Sequence, residues 1–291
     1  MLKKLIKISR FPHFWLYSGG NLIWGAIIAT GKNAFQDPYF FALLFWFIFP
    51  ANVFLNAIND AFDYETDLNN PRKQSMESMV SKNGKKEMLW ISFVALASVL
   101  VILPFVSVLV RELILLWIVI VIAYNVPPIR LKRYPIVDII FGGVGQYVPM
   151  AIIGYSAASG SLPSFPLILL AIIFSTASHI SSAALDVSYD HAAGIKNTTV
   201  RLGSIKNGLI LSVFFYVAAA AYGAYIGFPL FSVFVLIFPV LIFYNIWKGD
   251  LEGRNISIFE QFVWAPFIFG TLIGTLYYTV YFRFYFLNYN L

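Results

Sequence analysis

Between Asn56 and Asp67 the chain reads Asn56-Ala-Ile-Asn59-Asp60-Ala-Phe-Asp63-Tyr64-Glu65-Thr66-Asp67, which places four acidic residues within eight positions at the end of a long apolar run. At about 100° per residue, a helix brings Asn56, Asn59, Asp60, Asp63 and Asp67 to one face and turns Glu65 away. Ionised groups against an apolar segment are expensive, and where they occur they usually serve function. A second pair, Asp186 and Asp190, closes another apolar run in Ser-Ala-Ala-Leu-Asp186-Val-Ser-Tyr-Asp190-His191. Carboxylates at two such ends suggest one polyanion held through divalent cations. Magnesium (Mg2+) suits that task, because it combines a few carboxylates with phosphate oxygens.

Each acidic cluster leads into a basic loop. The first is Leu68-Asn-Asn-Pro-Arg72-Lys73, and the second runs through Lys196 to Arg201. A third loop, Tyr124-Asn125-Val-Pro127-Pro128-Ile-Arg130-Leu-Lys132-Arg133, carries a proline pair that stops the preceding helix and keeps its cations near the membrane face. Arg72, Lys73, Arg130, Lys132, Lys196 and Arg201 are therefore candidates to neutralise phosphate charge. Diphosphate loss from an allylic carbon becomes feasible when metals and cations stabilise the leaving group. The carbocation left behind needs a dry cavity rich in aromatic faces. Tyr64, Tyr124, Tyr147, Tyr189 and Trp15 all lie near the right helix ends.

The elements that must position these groups are membrane helices. The composition is 59% hydrophobic and 12% charged, with a mean hydropathy of +0.76, outside the range of soluble domains. Runs of about 20 apolar residues, the length a bilayer-spanning helix requires, predict nine spans: 14–31, 39–58, 89–108, 110–126, 136–156, 164–184, 207–227, 228–247 and 258–282. With the N-terminus cytoplasmic and the C-terminus outside, 17 of the 20 Lys and Arg fall on the cytoplasmic side, leaving Lys32, Arg111 and Arg283. The net charge of +6 is thus a topology signal and argues for no nucleic-acid partner. The absence of cysteine removes thiolate chemistry. The first apolar run is long enough to remain as an anchor rather than be cleaved as a signal. The expected organisation is one all-α integral-membrane domain over residues 1–291.

Three motifs in order, Asn59-Asp60-x-x-Asp63-x-x-x-Asp67, Tyr124-x-x-Pro127-Pro128-x-x-x-Lys132 and Asp186-x-x-x-Asp190, resemble the UbiA superfamily of intramembrane prenyltransferases. The resemblance covers essentially the whole chain. It implies nine helices around a central cavity, open to the cytoplasm and laterally to lipid, and Mg2+-dependent transfer of a prenyl group from a prenyl diphosphate donor. It also implies that Asn59, Asp60, Asp63, Asp67, Asp186 and Asp190 bind the metal–diphosphate, with Asp63, Asp67, Asp186 and Asp190 carrying catalysis. Gly194 stands where some members carry a further acid. The segment Ser9-Arg10-Phe-Pro12-His13-Phe14-Trp15, together with the first acidic motif, looks most like the lycopene elongase branch, whose members add five-carbon units to carotenoid ends.

Two other activities make different demands on the sequence. An aromatic-acid acceptor of the 4-hydroxybenzoate or naphthoate type would call for a cation inside the pocket, yet no Lys or Arg lies well within any span. His179 is the one basic group inside a span, two turns before Asp186 on an expected common helix face. This favours an apolar, membrane-dissolved acceptor such as a carotenoid. A cation or proton transporter would place acids near mid-membrane with access from both sides, whereas both clusters here close cytoplasmic helix ends.

Overall fold

The computed structural model describes residues 1–11, 13–67 and 84–249, and all regular structure among them is helical. The order is α1 (Leu2–Ile8), α2 (His13–Thr30), α3 (Pro38–Ile48), α4 (Pro50–Asp67), α5 (Lys85–Ala97), α6 (Val108–Asn125), α7 (Gly145–Ser159), α8 (Phe165–Ala184), the short α9 (Val187–Ala192) and α10 (Thr198–Arg201), then α11 (Ile205–Tyr225), α12 (Pro229–Val235) and α13 (Ile237–Lys248). A π-helical turn over Ile139–Val144 leads into α7. Local chemistry sets the helix starts. Asp37 caps α3 by accepting from the Tyr39 N–H at 2.9 Å with Pro38 in the first turn, and Ser107 and Ser204 cap α6 and α11 in the same way.

Seven stretches of the described residues are long and apolar enough to cross a membrane: Pro38–Asp63, Lys85–Phe105, Val108–Asn125, Ile139–Ser159, Phe165–Ala184, Ile205–Tyr225 and Pro229–Lys248. They match spans two to eight of the sequence reading, with the third and fourth dividing at Val106–Ser107. The first expected span is the 18-residue α2, which is not among those seven. The ninth, 258–282, lies outside the described residues. The second span is broken where the sequence suggested continuity: Pro50 begins α4 and cannot donate its backbone N–H to the α3 ladder. Phe45, Trp90, Phe93, Leu100, Val119, Phe214, Val240 and Phe243 are exposed, as expected of side chains that face lipid rather than water.

The tightest helix pair is α2 with α7. A Cβ built on Gly25 would lie 1.9 Å from the Ala151 carbonyl oxygen, and one on Gly154 would lie 1.9 Å from that of Leu22. Both clashes are with backbone, so only glycine lets these helices approach as they do. Gly25→Ala is expected to lower stability by about 3 kcal/mol, the upper end for overpacking. A thermal unfolding midpoint in detergent checks this, and an unchanged midpoint would contradict the packing described.

Two of the three buried apolar clusters among the described residues hold most of the core. One gathers Leu22, Trp46, Phe47, Phe54, Ile114, Trp117 and Ile153, and the other Leu170, Tyr216, Ala219, Val235 and Phe238. The helix bearing the first acidic motif is pinned by amides rather than by apolar contact alone. Asn52 accepts from Ser18 Oγ at 2.7 Å and donates to the carbonyls of Phe14 and Ile48, while Asn56 donates to the Asn52 carbonyl. In an apolar slab such buried amides persist only when satisfied, and here they fix the rotation of α4 against α2.

Candidate active site

The last two turns of α4 present Asn59, Asp60 and Asp63 inward; both carboxylates are only 6% exposed. Each is met by cations from distant parts of the chain. Arg10 donates Nη2 to Asp60 Oδ1 at 2.9 Å. Arg130 donates Nη2 to Asp63 Oδ1 at 2.7 Å and to the Phe62 carbonyl at 2.9 Å, while Lys132 Nζ pairs with Asp63 Oδ2. Asn59 Nδ2 donates to Asn125 Oδ1 at 2.9 Å, and that amide also lies 3.5 Å from Lys132 Nζ. Buried charges persist when they are paired. Each of these charges has an opposite partner, while Nε of Arg10 and Nε of Arg130 are buried without a hydrogen bond among the described residues.

The proline loop delivers these cations by bending sharply. The Pro127–Pro128 peptide is cis, and Arg130 adopts φ 39°, a left-handed conformation uncommon for any residue but glycine. Such outliers persist where the surroundings over-determine them. Here the guanidinium is tied at two acceptors and the Arg130 N–H bonds the Val126 carbonyl at 2.9 Å. Arg10 also sits at φ 54°, in the elbow between α1 and α2, with its guanidinium 5.2 Å from the Phe14 ring centre.

The second acidic segment lies against the first: α9 packs on α4. Its placement corrects one expectation. The helix that holds His179 ends at Ala184, so Asp186 is the N-terminal cap residue of α9 and not a member of His179's helix. Asp190 follows within α9, and its Oδ2 accepts from Asn197 Nδ2 at 2.6 Å.

Beneath the carboxylates is a layer of half-buried hydroxyl-bearing rings. Tyr17 and Tyr147 meet edge to face at 4.3 Å, and the Tyr17 hydroxyl lies 3.4 Å from Ser178 Oγ. Gly142, in the π turn, leaves room for two more groups, since a Cβ there would lie 2.6 Å from His179 Cε1 and 2.7 Å from the Tyr124 hydroxyl. Asp63, Asp138 and Asp190 all lie within electrostatic reach of Tyr124. Trp15 belongs elsewhere: its indole N–H donates to Ser9 Oγ at 2.7 Å and its ring packs on Phe11 and Phe49, bracing the elbow that aims Arg10.

The structure therefore brings together Asn59, Asp60, Asp63, Tyr124, Arg130 and Lys132, with Asp186 and Asp190 on the adjoining segment. Lys196 and Arg201 are solvent-exposed and form no ion pair with the acids described. Asp67 closes α4, but its side chain, like that of Tyr64, is outside the described set, and Arg72 and Lys73 lie outside the described residues. Sequence reasoning missed Arg10, Asn125, Asp138 and Asn197 as members of the site. The signals were present, because Arg10 lies in the Ser-Arg-Phe-Pro segment and Asp138 is the one acid inside the span expected over 136–156.

The donor set suits magnesium. It consists of hard carboxylate and amide oxygens on two touching segments, with cations of the kind that pair with phosphate interleaved. Among the described residues no three acidic or histidine side chains form a ready-made metal cage.

A multi-pass helical bundle with paired carboxylate segments under a cationic loop is the build of an intramembrane enzyme that handles a phosphorylated lipid. Residues 21–265 match the UbiA prenyltransferase family, and the chain belongs to it. It is similar to a lycopene elongase/hydratase of Haloarcula japonica, 32% identical over 92% of this chain and 87% of that protein. It is also similar to one of Corynebacterium glutamicum, 30% identical over 93% and 95% respectively. A UbiA homologue from Archaeoglobus fulgidus, solved with DMAPP and Mg2+, shares the fold with a TM-score of 0.68 at 20% identity, covering 94% of this chain and 99% of that one. The protein is an integral-membrane prenyltransferase.

Proposed function

We propose that this chain transfers a prenyl group from a short allylic diphosphate, with Mg2+, to the end of an apolar carotenoid such as lycopene. The reading is carried by one observation. The described cations of the site are already ion-paired, Arg10 with Asp60 and both Arg130 and Lys132 with Asp63. The groups around Tyr17 and Tyr124 include the Ser178 hydroxyl and the His179 imidazole, a setting that favours an apolar acceptor over an acidic one. The similarity to lycopene elongase/hydratases over nine-tenths of the chain supports it.

Asn59, Asp60, Asp63 and Asp67 would hold the metal from one side, and Asp186 and Asp190 from the other. When bound, Mg2+ supplies positive charge to the departing diphosphate. Lys132 and Arg130, already aimed into the site by Asp63, neutralise the phosphate charge that remains. The allylic carbon loses diphosphate and accepts the π electrons of the acceptor's terminal double bond, forming a C–C bond and a tertiary cation. Loss of a proton, or addition of water followed by loss of a proton, ends the reaction. The rings of Tyr17, Tyr124 and Tyr147 line the path below the carboxylates and stabilise the cation without trapping it. The distribution of basic residues supports a site on the cytoplasmic face, with the N-terminus inside and the C-terminus outside.

Lys132→Ala is expected to raise the apparent KM for the diphosphate donor about tenfold, the loss of one charge-assisted hydrogen bond. Steady-state kinetics on membranes read it, and an unchanged KM would take the loop out of the site. The acceptor is tested with purified protein in lipid discs, labelled dimethylallyl diphosphate and Mg2+, offered lycopene or 4-hydroxybenzoate. Label in the carotenoid supports the proposal. Label in the aromatic acid alone replaces the carotenoid with a quinone precursor.

A further inference from the structure

The loop from Val126 to Asp138 touches both acidic segments, and its two ends do so differently. Its first half carries Arg130 and Lys132 to Asp63. Its far end reaches the turn that follows Asp190. Asp138, 1% exposed, accepts from the Thr198 hydroxyl through Oδ1 at 2.5 Å and from the Thr198 backbone N–H through Oδ2 at 3.1 Å. The Ile136 N–H donates to the same Thr198 hydroxyl oxygen at 2.7 Å. One residue earlier, Asn197 caps α10 by accepting from the Val200 N–H at 2.9 Å and donates Nδ2 to Asp190 Oδ2. Asp138, Thr198, Asn197 and Asp190 thus form an unbroken run of contacts from the loop to the second acidic cluster.

Two features show that this link is maintained at a cost. Ile136 is held at φ 69°, a left-handed conformation that is a genuine outlier for a β-branched residue. Asp138 is a carboxylate at the start of a membrane span, and among the described residues no cation forms an ion pair with it. Burying a charge is expensive unless hydrogen bonds compensate. Both of its oxygens are engaged by Thr198, which ties the loop to the turn after Asp190.

We propose that Asp138 is a positioning residue: through Thr198 it locks the turn that aims Asp190, so that the Val126–Asp138 loop holds the two acidic segments at the spacing one metal–diphosphate requires. The inference rests on the diphosphate site proposed above and adds to it the residue that sets its geometry. Asp138→Ala and Thr198→Val each free the turn without touching Asp63, Asp186 or Asp190. Each should therefore weaken metal–diphosphate binding. The double variant should do no worse than either single one, since both cut the same link.

The test measures binding directly. Detergent-solubilised protein is titrated with Mg2+ at fixed inorganic diphosphate, and the rise in thermal unfolding midpoint reports occupancy. The wild type should be stabilised, with half-saturation raised about tenfold in Asp138→Ala, in Thr198→Val and in the double variant alike. Asp138→Asn, which keeps an acceptor oxygen for Thr198, should recover part of the loss. If Asp138→Ala does not fold, the nearly isosteric Thr198→Val carries the comparison. Half-saturation unchanged in the single variants, with only a lower midpoint in the absence of ligand, would overturn the proposal and leave Asp138 a packing residue. Shifts that multiply in the double variant would also overturn it. A wild type that Mg2+ and diphosphate do not stabilise would instead contradict the diphosphate site itself.

Discussion

Asp63→Asn is expected to reduce prenyl transfer by roughly 10³-fold while the protein remains folded in the membrane. Asp63 is the hub of the described site. It accepts from Arg130 on one oxygen and from Lys132 on the other, and it lies within electrostatic reach of Tyr124. The asparagine keeps shape and hydrogen-bonding capacity but removes the charge that holds the two cations in register and that would hold the metal in the proposed site. Asp63→Ala would be harsher, because it leaves two buried cations without their shared partner, at a cost of about 3–5 kcal/mol. Transfer of label from donor to lipid extract measures the loss, and size-exclusion chromatography in detergent separates it from misfolding. Near-normal, Mg2+-dependent transfer by a folded Asp63→Asn would remove the first cluster from the mechanism.

Asp186→Asn should cause a loss of similar size, although Asp186 lies over 100 residues away in sequence. It begins the short helix that packs on α4, so in the proposed site its carboxylate would meet the same ligand from the opposing side. Groups that hold one ligand act as a unit. The Asp63→Asn, Asp186→Asn double variant should consequently be scarcely slower than either single one. If the two losses multiply, the clusters serve separate tasks and do not share one diphosphate.

Much of this site was legible in the sequence because its chemistry is compressed into short motifs. Asn59, Asp60 and Asp63 occupy one helical face, and any helix through them must present them together. The membrane spans were equally plain, since length and hydropathy are local properties: seven of them recur as helices within a few residues, and α2 covers the first. What escaped were particular partners set by distant pairing. Arg10 meets Asp60 across 50 residues, Asn125 meets Asn59 across 66, and Thr198 meets Asp138 across 60. No periodicity encodes such contacts. The end of the span at 184 was legible, but the start of a separate short helix at Asp186 was not, because Leu185 gives no breaker signal before it. Lys196 and Arg201, which adjacency to an acidic motif marked for phosphate contact, have exposed side chains and no ion pair with the described acids.

The measurement that tests the account most directly is a pigment analysis. The chain is expressed in a bacterial host that accumulates lycopene, with Asp63→Asn as the control, and the carotenoids are resolved by liquid chromatography and mass spectrometry. The account predicts new pigments heavier than lycopene by one or two five-carbon units and absent from the control, with their masses showing whether water is added. Unchanged lycopene alongside well-expressed protein would contradict the carotenoid acceptor.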